Sequence, residues 1–128
     1  MNLPQPQPQR GSGRRPRRAP PAGHGQVVAL VQARIERALL QRQRYRYVQP
    51  RVEREGAGWK VVSPNCSRHV DPNGGDIQIA WFEPLADGRW TLHGRDHVRG
   101  AWRIDASAVT LDAALERVCT DVLGRFWP

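Results

Sequence analysis

Apolar residues recur at helical spacing early in the chain and alternate with polar residues further on. From Gln26 to about Gln41 the apolar positions repeat every three or four residues, which predicts an amphipathic helix. Its apolar stripe consists of Val27, Val28, Val31, Ile35, Ala38 and Leu39. Arg34 and Arg37 fall outside the stripe on the side expected to face solvent. Arg42 returns to the stripe, so we expect the helix to fray there or Arg42 to snorkel.

A period of two replaces the helical period from Arg44 to Glu53. Tyr45 and Tyr47 alternate with arginines, and this alternation predicts a strand. Pro50 has no N–H to donate to a neighbouring strand, so the strand is expected to lie at a sheet edge or to be broken there.

A turn and a long loop frame the next predicted strand. Gly56-Ala57-Gly58 turns the chain, and Trp59–Val62 then reads as a second strand that pairs back on Val52 as a hairpin. The stretch from Ser63 to Gly75 contains two prolines, two asparagines and a Gly-Gly pair, which predicts a loop. Polar loops of this length in small domains are often functional.

The clearest alternation runs from Ile77 to Ile104 and predicts a three-stranded antiparallel meander. The three strands are separated by turns at Asp87-Gly88 and at residues 96–100. One face is predicted from Ile77, Ile79, Trp81, Trp90, Leu92 and Gly94, and the opposite face from Gln78, Ala80, Phe82, Arg89, Thr91, His93 and Arg95. Trp102 and Ile104 share a face in the last strand. We expect the meander's tryptophans to form core under a second helix.

That second helix begins after Thr110, a suitable N-cap residue. Its apolar stripe is formed by Leu111, Ala114, Leu115, Val118 and Val122, with Cys119 at the edge. Gly124 is the predicted residue after the helix end, and Trp127 is expected to pack against the domain.

The pattern as a whole predicts an α+β fold. It has an N-terminal helix, an antiparallel meander sheet of four to five strands and a C-terminal helix packed on one sheet face. Residues 1–25 are rich in Pro, Gly and Arg and have little to bury, so they are expected to form a disordered tail. Residues 26–128 are expected to form a single domain.

Positive charge is concentrated at the N-terminal end. Residues 1–25 hold five arginines and no acid, residues 26–55 hold seven arginines and three glutamates, and residues 56–128 hold eight basic and nine acidic residues. The first 55 residues therefore carry +9 and the remainder −1. This asymmetry predicts contact with nucleic acid or an acidic protein. The expected contact residues are Arg14, Arg15, Arg17, Arg18, Arg34 and Arg37. The alternatives are a solubilising tail and a solvated helix face.

The exposed face of the meander also has a basic character. Gln78, Arg89, Thr91, His93 and Arg95 are predicted there together with Phe82, and a basic sheet with aromatic residues is the general style of an RNA-binding surface. Stacking platforms usually need two or three aromatic residues. Since only Phe82 is predicted on this face, a solvated face is the favoured interpretation.

Four Cys and His residues have spacings that resemble a metal site. Two residues separate Cys66 from His69, and three separate His93 from His97, so together they would supply four ligands for zinc. Cys66 with His69 and Asp71 is a second, catalytic alternative. Loose fragments of this kind are not specific, so we predict no metal, no cofactor and no catalytic residue.

The run from Trp90 to Asp96, WTLHGRD, followed by Trp102, resembles a hairpin motif of domain-of-unknown-function family 3024. The order of helix, strands and hairpin agrees from Val27 to Trp127. The resemblance implies a small bacterial accessory protein and supplies no catalytic residues.

The function predicted from the sequence is a non-enzymatic binding protein of the bacterial cytoplasm. The cytoplasmic assignment follows because no apolar run is long enough for a membrane span or a signal peptide. A metal-dependent or thiol enzyme around Cys66 is the first alternative. The second is a protein-interaction module that uses Trp127 and the edge strand at Pro50. The sequence leaves the oligomeric state open.

Overall fold

The structure is a computed structural model that describes residues 22–65 and 74–128, with backbone only for residues 22–26. The chain divides into two compact units, residues 1–33 and residues 34–128. The predicted disordered tail lies almost entirely outside the described residues. The predicted division between residues 25 and 26 stays a prediction.

The first helix, α1, spans Ala22–Leu39, so it begins earlier and ends slightly sooner than the predicted range of Gln26 to about Gln41. In the first unit Val27 and Leu30 are exposed. In the second unit Ile35 and Leu39 are buried and form part of the core. The predicted stripe is therefore buried only toward the C-terminal end of the helix.

Five antiparallel strands follow in a sheet whose spatial order is the order of the sequence. Their bounds are β1 Arg51–Glu55, β2 Gly58–Pro64, β3 Asp76–Pro84, β4 Trp90–Asp96 and β5 Ala101–Val109. The predicted hairpin is confirmed, because Val52 pairs with Val61. The predicted strand at residues 44–50 is wrong, since these residues form bends and turns and β1 begins only at Arg51.

A β-bulge in β3 reverses the predicted faces of the residues from Ala80 onward. Val61 pairs with Ala80 but Val62 pairs with Gln78, so Ile79 is the additional residue. Ile79 and Ala80 are both fully buried, and so is Phe82. Phe82 consequently lies on the core face with Ile77 and Ile79, and Trp81, which strict alternation places on that face, lies on the opposite one.

The tryptophans of the meander therefore divide between the two faces of the sheet. Trp90 contacts the buried Trp59, with ring centroids 6.0 Å apart. Trp81 and Trp102 contact each other on the other face, also at 6.0 Å. The expectation that all three are core under the second helix is wrong for these two, and the cause for Trp81 is the bulge.

The second helix, α2, spans Leu111–Thr120 and packs on the sheet at β4 and β5. Thr110 is the N-cap as predicted, because its Oγ1 accepts the N–H of Ala113 at 3.1 Å. The helix ends sooner than predicted. Asp121 adopts a left-handed conformation with φ 45°, so Gly124 is not the residue after the helix end and Val122 is exposed.

Two aspartates connect α2 with the sheet and with residues 122–128, here called the C-terminal segment. Asp105 of β5 has only 2% of its side chain exposed and pairs with Arg103, Arg117 and Arg125 at 2.8–3.9 Å. Gly94 leaves room for Arg103, since a Cβ there would lie 2.7 Å from its guanidinium. These ion pairs join β5, α2 and the C-terminal segment.

Asp121 fixes the C-terminal residues by accepting three backbone N–H groups. The donors are Arg125 at 2.7 Å, Phe126 at 3.1 Å and Trp127 at 2.9 Å. The Trp127 indole donates in turn to the carbonyl of Val118, and the residue is fully buried. The predicted packing of Trp127 is confirmed, so its ring is not available as an interaction surface.

Candidate functional site

The segment Leu40–Pro50, here called the basic loop, connects α1 to β1 and is organised around Arg42. The Arg42 guanidinium donates to the carbonyls of Leu39, Tyr45 and Val48. Arg42 is only 6% exposed, and this burial lowers its pKa. Three carbonyls of one short segment thus converge on one planar cation. The sequence predicts that the helix frays at Arg42 or that Arg42 extends to solvent. In the structure Arg42 is buried and holds the basic loop together.

The C-terminal segment anchors the other side of the basic loop. The Tyr45 ring packs on Trp127 at a centroid distance of 5.9 Å, and the Arg42 guanidinium lies 5.2 Å from the same ring. Arg44 donates to the Trp127 carbonyl at 3.2 Å. Tyr45 has φ 54°, which is uncommon for a bulky residue and interrupts any strand at this point. The alternation of Tyr and Arg therefore produces inward anchors and outward side chains within a turn.

The outward side chains of the basic loop are Arg46 and Tyr47. Arg46 is exposed and Tyr47 is 103% exposed. They line a depression of about 190 Å³ together with Leu40, and Arg37 lines an adjoining depression of about 280 Å³. The two depressions share the side chains of Leu40, Arg42 and Gln49.

Charge on this surface is largely uncompensated. Residues 37–50 contain four arginines and no acid. Arg37 and Arg46 have no ion-pair partner among the described residues. Glu36 is the acidic residue that lines the same depression as Arg37. An anion is therefore the ligand chemistry that these side chains favour.

The other predicted contact residues are placed differently. Arg34 forms an exposed ion pair with Asp112 of α2, so part of its charge is already compensated. Arg14, Arg15, Arg17 and Arg18 lie outside the described residues. Their predicted role as contacts stays a prediction.

The second face of the sheet carries more aromatic residues than predicted. His93 stacks on Trp81 with centroids 4.4 Å apart and planes at 22°, and its Nε2 lies 3.0 Å from Glu83 Oε1. Arg95 lies over the Trp102 ring at 5.0 Å. Phe82 is in the core instead. Each of the two tryptophan rings on this face is thus already in contact with a neighbouring side chain.

The Cys and His candidates are only partly covered by the structure. Cys66, His69 and Asp71 lie outside the described residues. His93 is in the stack on β4, and His97 follows at the turn, where Asp96 accepts the N–H groups of Val98 and Arg99. In the described parts of the chain no three His, Cys, Asp or Glu side chains are placed to hold a metal ion. The four-ligand site and the Cys66 catalytic arrangement stay hypotheses.

Burial shifts the pKa of His97 and that of Cys119, which both lie outside the basic loop. Burial lowers the pKa of His97, as do Arg95 and Arg103 nearby. Its Nε2 is buried without a hydrogen-bond partner among the residues described. Burial also raises the pKa of Cys119, whose Sγ donates to the Ala38 carbonyl at 3.3 Å. That thiol belongs to the contact between the end of α1 and α2, which is the ordinary role of a buried cysteine.

The chain is a small α+β protein in which a C-terminal helix packs on an antiparallel meander and a basic connection precedes the first strand. The chain belongs to the family described as domain of unknown function DUF3024, whose model matches residues 25–128. The predicted resemblance is confirmed. No curated protein matches the chain, and no solved structure matches it. None of the described helices is long and apolar enough to pass through a membrane.

Sequence reasoning missed the basic loop as a structure, although the signal was present. The run RYRY, residues 44–47, predicts a strand because its period is two. Arg42 falls within the apolar stripe of α1, and residues 37–50 contain no acid. Both features indicate a charged connection. The contact with Trp127 that bends this run is 82 residues away from Tyr45 and has no local signal.

Proposed function

We propose that this protein binds nucleic acid through the phosphate backbone, with the basic loop and Arg37 as its contact surface within residues 34–128. The observation that carries the proposal is the pair of exposed arginines, Arg37 and Arg46, on adjoining depressions in an acid-free segment. Guanidinium groups match phosphate geometry through paired N–H donors. The predicted role is that of a non-enzymatic binding protein.

The charges of the rest of the domain support this assignment of the surface. Asp76, Asp87 and Asp96 pair with Arg51, Arg89 and Arg99, and Asp105 pairs with three arginines. Outside residues 37–50 most described arginines are in ion pairs, and the two that are not, Arg54 and Arg95, lie over the rings of Trp59 and Trp102. Arg37 and Arg46 have neither an ion pair nor a ring contact among the described residues. The tail, with five further arginines, adds non-specific attraction to the same polyanion in this proposal.

A charge-matched comparison tests the proposal. The full chain, an Arg37→Gln/Arg46→Gln variant and an Arg89→Gln/Arg99→Gln variant are titrated against a fluorescently labelled 20-nucleotide oligonucleotide. The control removes the same two charges from arginines that are ion-paired in other turns. Two exposed phosphate contacts of about 0.5–1 kcal/mol each predict a 5- to 30-fold loss of affinity for the loop variant.

The control should lose about threefold or less, because net charge alone acts weakly at physiological salt. Equal losses in both variants would show that no specific surface is involved. Binding of an acidic protein in place of the oligonucleotide, with the same dependence on Arg37 and Arg46, would assign the loop to an acidic protein partner and contradict the proposal.

A further inference from the structure

Tyr47 is the one large aromatic side chain of the described chain that is exposed over its whole surface. Its exposure is 103%, and it forms no ring contact with another described residue. Exposing a tyrosine ring forgoes the burial that normally stabilises such a residue. The neighbouring Tyr45, by contrast, packs on Trp127.

The backbone that presents Tyr47 is held in place on both sides. The carbonyls of Tyr45 and Val48 accept from the buried Arg42, and the Val48 N–H donates to the Tyr45 carbonyl at 3.3 Å. The ring is therefore displayed by an ordered turn, and binding to it has less conformational entropy to overcome.

The surroundings of Tyr47 combine open space with positive charge. Tyr47 lines two depressions, of about 190 and 360 Å³, and Arg46 and Val48 line both of them. A flat ligand seated on the ring thus has an apolar side chain and a guanidinium beside it. A nucleotide matches these surroundings, because its flat base can stack on the ring and its phosphate can pair with the guanidinium.

The other surface aromatic residues do not compete for this role. Trp81 is stacked against His93, and Trp102 lies under Arg95. A free ring face next to an uncompensated arginine is found, among the described residues, at Tyr47.

We infer that the basic loop is selective for single-stranded nucleic acid, with an unpaired base stacked on Tyr47 and the adjoining phosphate on Arg46. This inference rests on the proposed function and names its substrate class. In a duplex both faces of an internal base are covered by neighbouring bases, so Tyr47 has no ring to stack on. A single strand of DNA or RNA offers that ring at every position.

The test uses the full chain with Tyr47→Ala, Tyr47→Phe and Arg46→Gln variants. Each is titrated at one salt concentration against 12-nucleotide oligodeoxythymidylate, 12-nucleotide oligouridylate and a 12-base-pair DNA duplex. Base stacking on an aromatic residue contributes about 1–3 kcal/mol, which predicts a 5- to 150-fold loss of single-strand affinity for Tyr47→Ala. Tyr47→Phe keeps the ring and should bind within about twofold of the wild type. Tyr47→Ala should leave duplex affinity unchanged.

The outcomes separate this inference from the proposed function. If Arg46→Gln weakens all three ligands while Tyr47→Ala changes none, nucleic-acid binding stands and the stacking assignment is overturned. Equal weakening of duplex and single strands by Tyr47→Ala also overturns it. If the wild type binds none of the three, both are wrong. Since Tyr47 is fully exposed, thermal unfolding at the wild-type temperature is expected for both tyrosine variants and checks that they fold.

Discussion

Arg42 is the residue on which the shape of the basic loop depends. A guanidinium has five N–H donors in one plane, so one side chain satisfies several carbonyls of a turn at the same time. Lysine offers a point charge with a different geometry. The sequence marks Arg42 as exceptional, since it falls within the apolar stripe of α1, but does not indicate that it turns back on its own segment.

We therefore expect Arg42→Met to destabilise the domain by about 1–3 kcal/mol, because buried carbonyls lose a charged donor. Urea unfolding of the full chain measures the change. Arg46→Met is the matched control and should alter the free energy of unfolding by less than about 0.5 kcal/mol, because Arg46 is exposed. Equal stability of Arg42→Met and the wild type would show that the loop does not depend on this side chain. The Arg42→Met variant should also bind oligonucleotides more weakly, since Tyr47 and Arg46 lose their fixed position.

At the scale of single residues, the sequence also predicts the wrong sheet face for Trp81. The run Ile79-Ala80-Trp81-Phe82 is four apolar residues long, and strict alternation assigns Trp81 to the face of Ile79. The extra residue in β3 makes Ile79 and Ala80 both face the core. Nothing in the four residues determines which of the two registers is adopted; the pairing with β2 does.

Elements with strong local signals were predicted correctly. The Thr110 cap and the apolar stripe of α2 are both short-range features, and so is the turn between Val52 and Val61. The end of α2 was not predicted, because Asp121 adopts the left-handed conformation in order to accept N–H groups from the C-terminal segment. A glycine at that position would have signalled the end of the helix; an aspartate does so less often.

The connection between α2 and the C-terminal segment supplies the second stability prediction. Asp121→Ala removes the acceptor for three backbone N–H groups and places alanine at a φ of 45°. We expect a loss of about 2–4 kcal/mol in the free energy of unfolding. Asp121→Asn, which keeps one acceptor oxygen and tolerates the left-handed region, should lose less.

Chemical denaturation followed by far-ultraviolet circular dichroism gives the three values. Glu116→Ala, an exposed position of the same helix, is the control and should change stability by less than about 0.5 kcal/mol. If Asp121→Ala were as stable as the Glu116→Ala control, the C-terminal segment would be held by Trp127 burial alone. The basic loop would then depend on that burial, because Tyr45 and Arg44 contact Trp127.

For the whole molecule, the order of elements and the fold class followed from the sequence, and the proposed contact surface followed only in part. The charge asymmetry between residues 1–55 and the remainder is a property of composition. Which of these arginines remain available to a ligand is a property of the fold. Arg34, Arg42 and Arg44 are engaged in internal contacts, whereas Arg37 and Arg46 are not. A count of arginines does not distinguish structural from available ones.

The salt dependence of binding tests whether Arg37 and Arg46 contact phosphate groups. The association constant of the full chain for a single-stranded oligonucleotide is measured from about 50 to 200 mM salt, with the Arg37→Gln/Arg46→Gln and Arg89→Gln/Arg99→Gln variants beside it. Each phosphate contact on a single strand contributes about 0.7 to the slope of log K against log salt. Phosphate contacts at Arg37 and Arg46 predict a steep fall for the wild type, a slope about 1.4 smaller for the loop variant and an unchanged slope for the control. A flat dependence for the wild type, or equal slopes for the wild type and the loop variant, would contradict this prediction.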